Sequence, residues 1–243
     1  MNNGLYNVTT TCPVCSKDIQ VTKVKSNACK MLGSDSDFCI YYETVNPIFY
    51  DIWVCGYCGY AAQRDKFPDI SFKNAKKIRE QITPRWNPRD FSGERDIETA
   101  LEAFKLALYE LELLENSKSS DFARICLRIA WLYRINNKDK ENKNKENEFL
   151  NFALQHYINA YENERFPIGK FDEVTCTYLI GELYRRVGNP DESLKWFSRI
   201  ISSPEGRNNG RILELTREQI QLVREQQLIR DQQLNSEQLS SIS

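Results

Sequence analysis

The sequence predicts an α+β chain: a small β domain organised around paired cysteines, then a larger all-α domain. Three observations carry this. Six of the eight cysteines fall within residues 1–68, four of them as two close pairs. Period-two alternation of apolar and polar residues is confined to the same stretch. From residue 94 to about 229 apolar residues instead recur at intervals of three and four, the period of a helix face.

Composition narrows the function classes. The chain has 243 residues, 41% hydrophobic and 28% charged, which fits one or two globular domains. A net charge of -1 disfavours a strongly basic nucleic-acid binder. No stretch approaches the roughly 18 unbroken apolar residues of a membrane span. Met1 to Thr11 is polar and lacks an apolar signal core, so a cytoplasmic protein is expected. The lone His156 excludes most histidine-based catalysis and reads as a helix-surface residue.

The first zone is residues 1–68. Ile19 and Val21 alternate with Asp18, Gln20 and Thr22, and Tyr50, Ile52 and Val54 lead straight into Cys55. A strand therefore follows the first cysteine pair and another precedes the second, with the cysteines at turns. The aromatic run Phe38, Tyr41, Tyr42, Phe49, Tyr50, Trp53, Tyr57, Tyr60 reads as the core of a small domain. A base-stacking platform is the weaker alternative, because the zone's six Lys/Arg are matched by six Asp/Glu.

Cys12-Pro13-Val14-Cys15 and Cys55-Gly56-Tyr57-Cys58-Gly59 are both tight turns carrying two thiols. Gly59 can take positive φ just after the second ligand, turning backbone N–H groups toward the sulfurs. Two such turns supply four soft ligands to a tetrahedral ion, and Zn2+ suits an all-thiolate site. A closed four-cysteine site leaves no position for substrate, so the zinc is expected to be structural, in a zinc-ribbon-like domain. The 39 residues between the pairs exceed the common ribbon spacing. Iron in the same geometry and a thiol-redox pair are the alternatives. Cys29 and Cys39 read as small hydrophobic residues, or as a possible redox pair beside the metal thiolates.

Residues 69–93 read as a linker with one helix near Phe72 to Ile82, broken by Pro84 and Pro88. Its cations Lys73, Lys76, Lys77, Arg79, Arg85 and Arg89 outnumber its acids. Residues 94–230 form the helical domain, interrupted by the apolar-free segment Lys138 to Glu148, read as a solvated loop or a helix extension. Arg211 to Arg230 reads as one long helix that caps the preceding bundle, with a coiled-coil dimer as the lesser alternative. Residues 231–243 are expected to form a disordered tail.

The helical half resembles tetratricopeptide repeats. Helix-B units appear as Ala100/Phe104/Ala107, Ala153/Tyr157/Ala160 and Ser193/Phe197/Ile200. Helix-A units appear as Ile129-Ala130 with Tyr133 and Ile180-Gly181 with Tyr184. Gly181 to Ser193 spans 12 positions and Ala130 to Ala153 spans 23. The excess of 11 equals the length of the polar segment Lys138 to Glu148. The resemblance implies a concave groove lined by Arg124, Leu127, Trp131, Arg134 and Ile135 of one repeat. The other repeat contributes Thr175, Tyr178, Glu182, Arg185 and Arg186. Such arginines suit an acidic peptide or a terminal carboxylate.

CPVC, DSDFCIYYETVNPIFYDIWVC and CGYCGYAA ahead of such helices resemble a bacterial family of unknown activity, whose second pair usually reads CPxCG where this chain has Gly56. The function expected is a non-enzymatic, zinc-stabilised adaptor whose helical groove binds a protein or peptide partner. A nucleic-acid-associated ribbon regulator and a thiol-based redox or metal sensor are the competing classes. No catalytic residue is assigned.

Overall fold

Strand pairing begins earlier than the alternation suggests. In the computed structural model, which describes residues 4–137 and 139–240, β1 (Leu5–Thr11) pairs antiparallel with β2 (Asp18–Val24). Their register runs from Leu5 opposite Val24 to Thr11 opposite Asp18. The sequence reads β1 as merely polar, yet Val8 and its three threonines are β-branched and suit a half-buried pleat. A second hairpin joins β3 (Met31–Ser34) to β4 (Ile40–Tyr42), with a bulge between Met31 and Gly33. The third joins β5 (Ile52–Val54) to β6 (Ala61–Gln63). Both C-x-x-C pairs therefore sit at hairpin turns, Cys12/Cys15 between β1 and β2, Cys55/Cys58 between β5 and β6.

Helix α1 (Phe72–Gln81) starts where Ser71 Oγ accepts the Asn74 N–H, a side-chain N-cap. It lays Ala75 and Ile78, with Ile82 just beyond, onto a core of Val14, Ile19, Val21, Trp53, Tyr60 and Phe67. Ile78 is fully buried there, a contribution of about 1.5–3 kcal/mol. The prolines end the helix as expected, in a 3-10 turn over Thr83–Arg85. Helix α2 (Ile97–Leu113) begins at the Asp96 cap and packs on β5, β6 and α3 (Ser119–Ile135). Arg95, buried just ahead of α2, donates to the carbonyl oxygens of Phe49, Ile52 and Phe91.

Helix α4 (Lys140–Asn163) absorbs the polar segment, so the helix-extension reading holds for its described residues, with Lys138 outside them. Asp139 caps it by accepting the Asn142 N–H at 2.8 Å. Eleven residues are close to three helical turns, so a segment of that length can lengthen a helix without rotating its apolar face.

The chain divides into two compact units, Met1–Ala153 and Leu154–Ser243. The division falls inside α4, not in residues 69–93, because α1 and α2 share their core with the β hairpins. In the second unit α5 (Glu173–Arg186) and α6 (Pro190–Ser202) form a helical hairpin. Gly188 turns the chain at φ 85°, and Pro190 follows the Asn189 cap at the first helical position. A Cβ on Gly181 would lie 2.7 Å from the Phe197 ring, so glycine lets α5 and α6 close on each other. After the short α7 (Pro204–Asn208), α8 (Gly210–Ser240) packs on α5 and α6, burying Ile212, Thr216, Gln219 and Val223. It therefore covers the hairpin as expected. It also runs past Arg230 through Ser240, where the sequence reading placed a disordered tail; no proline or glycine interrupts it. The expected tail's last three residues, 241–243, lie outside the described residues.

Candidate metal centre

The two cysteine turns are built alike. Cys12 N–H donates to Lys17 O at 2.9 Å, and Ser16 N–H to Cys12 O at 2.9 Å. Cys55 N–H donates to Tyr60 O at 2.7 Å, and Gly59 N–H to Cys55 O at 2.9 Å. In each turn the residue four after the first cysteine takes the left-handed conformation, Ser16 at φ 59° and Gly59 at φ 84°. Glycine adopts it freely and serine at some cost.

These turns bring Cys12, Cys15, Cys55 and Cys58 together, all four sulfurs within 4.8 Å of one another. Cys12 Sγ lies 3.7 Å from Cys58 Sγ, and Cys15 Sγ 3.6 Å from Cys55 Sγ. A tetrahedral ion with bonds of about 2.3 Å to sulfur needs sulfurs about 3.8 Å apart. The group is therefore spaced for a metal ion, with Cys12, Cys55 and Cys58 buried. Four thiols this close also compete for charge. Hydrogen bonds from Cys12 and Cys58 hold the Cys55 thiol low, while Cys12 and Cys58 are pushed up by their hydrogen bonding to neighbouring thiols and by burial. A divalent cation is what would let all four ionise together.

Residues 69–93 do more than connect. Four donors from this segment reach carbonyl oxygens of the cysteine turns. Arg79 Nη1 donates to Val14 O at 2.9 Å and Thr83 Oγ1 to Cys58 O at 3.0 Å. Trp86 Nε1 and the Arg89 N–H both donate to Gly56 O, at 2.8 and 3.1 Å. Any Cβ at position 56 would lie 2.2 Å from Arg89 O, so this strap requires glycine there. Sequence reasoning missed the strap, although a tryptophan between two prolines in a polar linker was a signal. The segment's cations are largely committed within the first unit. Lys73 and Lys77 pair with Glu115, Lys76 with Glu80, and Arg89 with Glu102.

The remaining sequence-assigned residues fall elsewhere. Cys29 and Cys39 lie outside the four-sulfur group; Cys39 is buried and burial pushes the Cys29 thiol up, away from reactivity. Among the groove candidates of α3, Leu127 and Trp131 are buried, Arg124 pairs with Asp65 at 3.1 Å, and Ile135 is half-buried. Arg134 is engaged by the chain's own acids. Its guanidinium meets Asp35 at 2.7 Å, Asp37 at 2.7 and 2.9 Å, and Glu146 at 2.6 Å. Trp131 Nε1 donates to the same Asp37 at 3.0 Å. Burial alone would lower the Arg134 pKa, but Asp37 and Glu146 raise it above the usual value. The α3 face is thus closed by Asp35 and Asp37, which sequence alone could not have paired across nearly a hundred residues. In α5, Tyr178 and Glu182 are buried, and Thr175 N–H is capped by Asp172. Arg185 and Arg186, both half-buried, bind Glu182.

Among the described residues no helix is long and apolar enough to cross a membrane. The family described as "Uncharacterized protein conserved in bacteria (DUF2225)" matches residues 5–223. No curated protein and no solved structure matches the chain.

Proposed function

The chain belongs to that conserved bacterial family, and we propose that within it the chain is a non-enzymatic interaction protein stapled by one structural zinc. The observation that carries the metal part is the four-cysteine group, with sulfurs at the spacing a tetrahedral thiolate site needs. Cys12, Cys15, Cys55 and Cys58 would hold the ion. Bound, it would supply cross-linking of two hairpins and no open position for chemistry. Protein purified under reducing, chelator-free conditions is expected to carry about one zinc per chain, its four cysteines shielded from thiol reagents until zinc is removed. Metal-free folded protein, or iron with visible absorbance, would overturn this reading.

For the partner, tetratricopeptide-like packing is supported by the fully buried Ser193 and Phe197, and by Gly181 against Phe197. The acidic preference is supported by α3, where Arg134 and Trp131 already grip two aspartates of this chain. With that face taken, we assign partner recognition to α5, where Thr175 lies near the start and Arg185 and Arg186, which share Glu182, near the end. A labelled peptide copying residues 33–40 is a suitable acidic probe. Fluorescence polarisation is expected to show binding that Arg185→Ala with Arg186→Ala weakens. Equal binding by wild type and variant would argue against the α5 site.

A further inference from the structure

The eight cysteines divide by access to solvent. Six are buried, whereas Cys15 and Cys29 are half-buried. Of these two, Cys15 belongs to the four-sulfur group and Cys29 does not. The three companions of Cys15 are shut in, Cys12 and Cys55 at 0% exposure and Cys58 at 1%. Across the turns, Cys15 Sγ meets Cys55 Sγ at 3.6 Å. Cys29 Sγ instead donates to Lys25 O at 3.7 Å. The centre therefore offers solvent one of its four ligands, backed by a second cysteine from the other hairpin.

We infer, resting on the zinc reading above, that Cys15 is a modification site for small two-electron oxidants of the peroxide class, and that its oxidation exchanges the ion for a Cys15–Cys55 disulfide. The Cys15 thiolate attacks hydrogen peroxide: an S–O bond forms, the O–O bond breaks and hydroxide leaves. The Cys55 thiolate then attacks the sulfenic sulfur of Cys15: the S–S bond forms, the S–O bond breaks and a second hydroxide leaves. Two protons from solvent turn both hydroxides into water. The two sulfurs lose the two electrons that peroxide gains. Zinc, left with two thiolates of four, dissociates. Reagents that alkylate thiols are bulkier than peroxide, so a site shielded from them stays open to it. A disulfide needs its sulfurs about 2.05 Å apart, so each has about 0.8 Å to move from the present 3.6 Å. The new bond joins the same two turns that the ion joins and so keeps the hairpins cross-linked. The strap grips Val14 O, Gly56 O and Cys58 O, backbone atoms that the oxidation leaves untouched. Cys12 and Cys58, 3.7 Å apart, remain as a buried thiol pair. Cys29 has no thiol of the group beside it, so its sulfenic acid goes on to sulfinic acid and serves as an internal control.

The test uses the full chain, with metal content measured first. Zinc-loaded protein is titrated with hydrogen peroxide, and zinc release is followed with a chromogenic chelator. Free thiols are trapped in acid at each step, and disulfides are mapped by mass spectrometry. One zinc is expected to leave per disulfide formed, and the first disulfide is expected to be Cys15–Cys55. Far-ultraviolet circular dichroism should stay unchanged, and dithiothreitol with added zinc should restore the metal content. Cys29→Ser, which touches no ligand, should release zinc at the wild-type rate. The proposal is overturned if zinc stays bound while Cys29 is already oxidised. It is equally overturned if the first disulfide lies within one C-x-x-C pair or joins Cys12 to Cys58, or if Cys29→Ser slows the release. A chain that holds no zinc at the outset would sink the zinc reading instead, and the disulfide map would still decide whether Cys15 pairs with Cys55.

Discussion

Single residues decide how tightly the cysteine turns and the helices lock together. Gly56 stands against the Arg89 carbonyl, so Gly56→Ala must push the strap away. A loss of about 1–3 kcal/mol in thermal stability is expected, and on the zinc proposal a faster loss of the ion to a chelator. Glu110 is a second case. Burial raises its pKa well above the ordinary carboxyl value, so it stays protonated in the fold after the unfolded chain has ionised. Stability is then complete below about pH 4.5 and falls as pH rises toward the folded value. Glu110→Gln should therefore be more stable than wild type near pH 8 and equal to it near pH 4, as read from denaturation midpoints. The gathering of Cys12, Cys15, Cys55 and Cys58 was legible because two C-x-x-C pairs announce it. Glu110 and Asp37 were not, since a lone acid in sequence carries no mark of burial. Arg134 was read as a groove residue because helical spacing shows which face a side chain occupies, not what already covers it.

Among the elements, β2 and β5 were legible from alternation and α1 from the prolines that end it, whereas β3, β4 and β6 are too short to show a period. β1 was missed because its pleat is threonine-rich, and the strap because it bonds through irregular backbone. Its four donors hold the backbone of the ligand turns, which positions the sulfurs. If the four cysteines hold zinc as proposed, Trp86→Ala should raise the rate of its transfer to a chelator about tenfold or more, the range for partners that orient metal ligands. Far-ultraviolet circular dichroism should stay unchanged. Where the Asp35 and Asp37 segment meets α3, Asp37→Asn takes from Arg134 its fully buried anion, the one that holds it by two bonds, and leaves Asp35 and Glu146 in place. A cost of about 1.5–3 kcal/mol is expected, because two anions remain beside the guanidinium. A double-mutant cycle with Arg134→Met should recover much of it, and simple additivity would refute the coupling.

At the scale of the molecule, α+β organisation was legible from composition and period alone, whereas the boundary between units was not. A domain edge at residue 68 is natural by composition. The first unit instead draws Ala75, Ile78 and Ile82 into the core of the cysteine hairpins. A fragment of residues 1–68 is therefore expected to stay unfolded with zinc present, while residues 1–163, ending with α4, should fold and retain metal. Dispersed NMR signals from the short fragment would contradict this. The contacts of Arg134 carry a further consequence, for synthesis. Cys58 follows Cys12 by 46 residues, whereas Arg134 follows Asp37 by 97. At ribosomal rates of about 5–20 residues per second, Asp37 leaves the peptidyl-transferase centre about 5–20 s ahead of its partner. The cysteine centre is complete in the nascent chain well before that. On the ribosome, then, all four cysteines are made first, and the acidic segment waits, uncovered, for the third helix to be made.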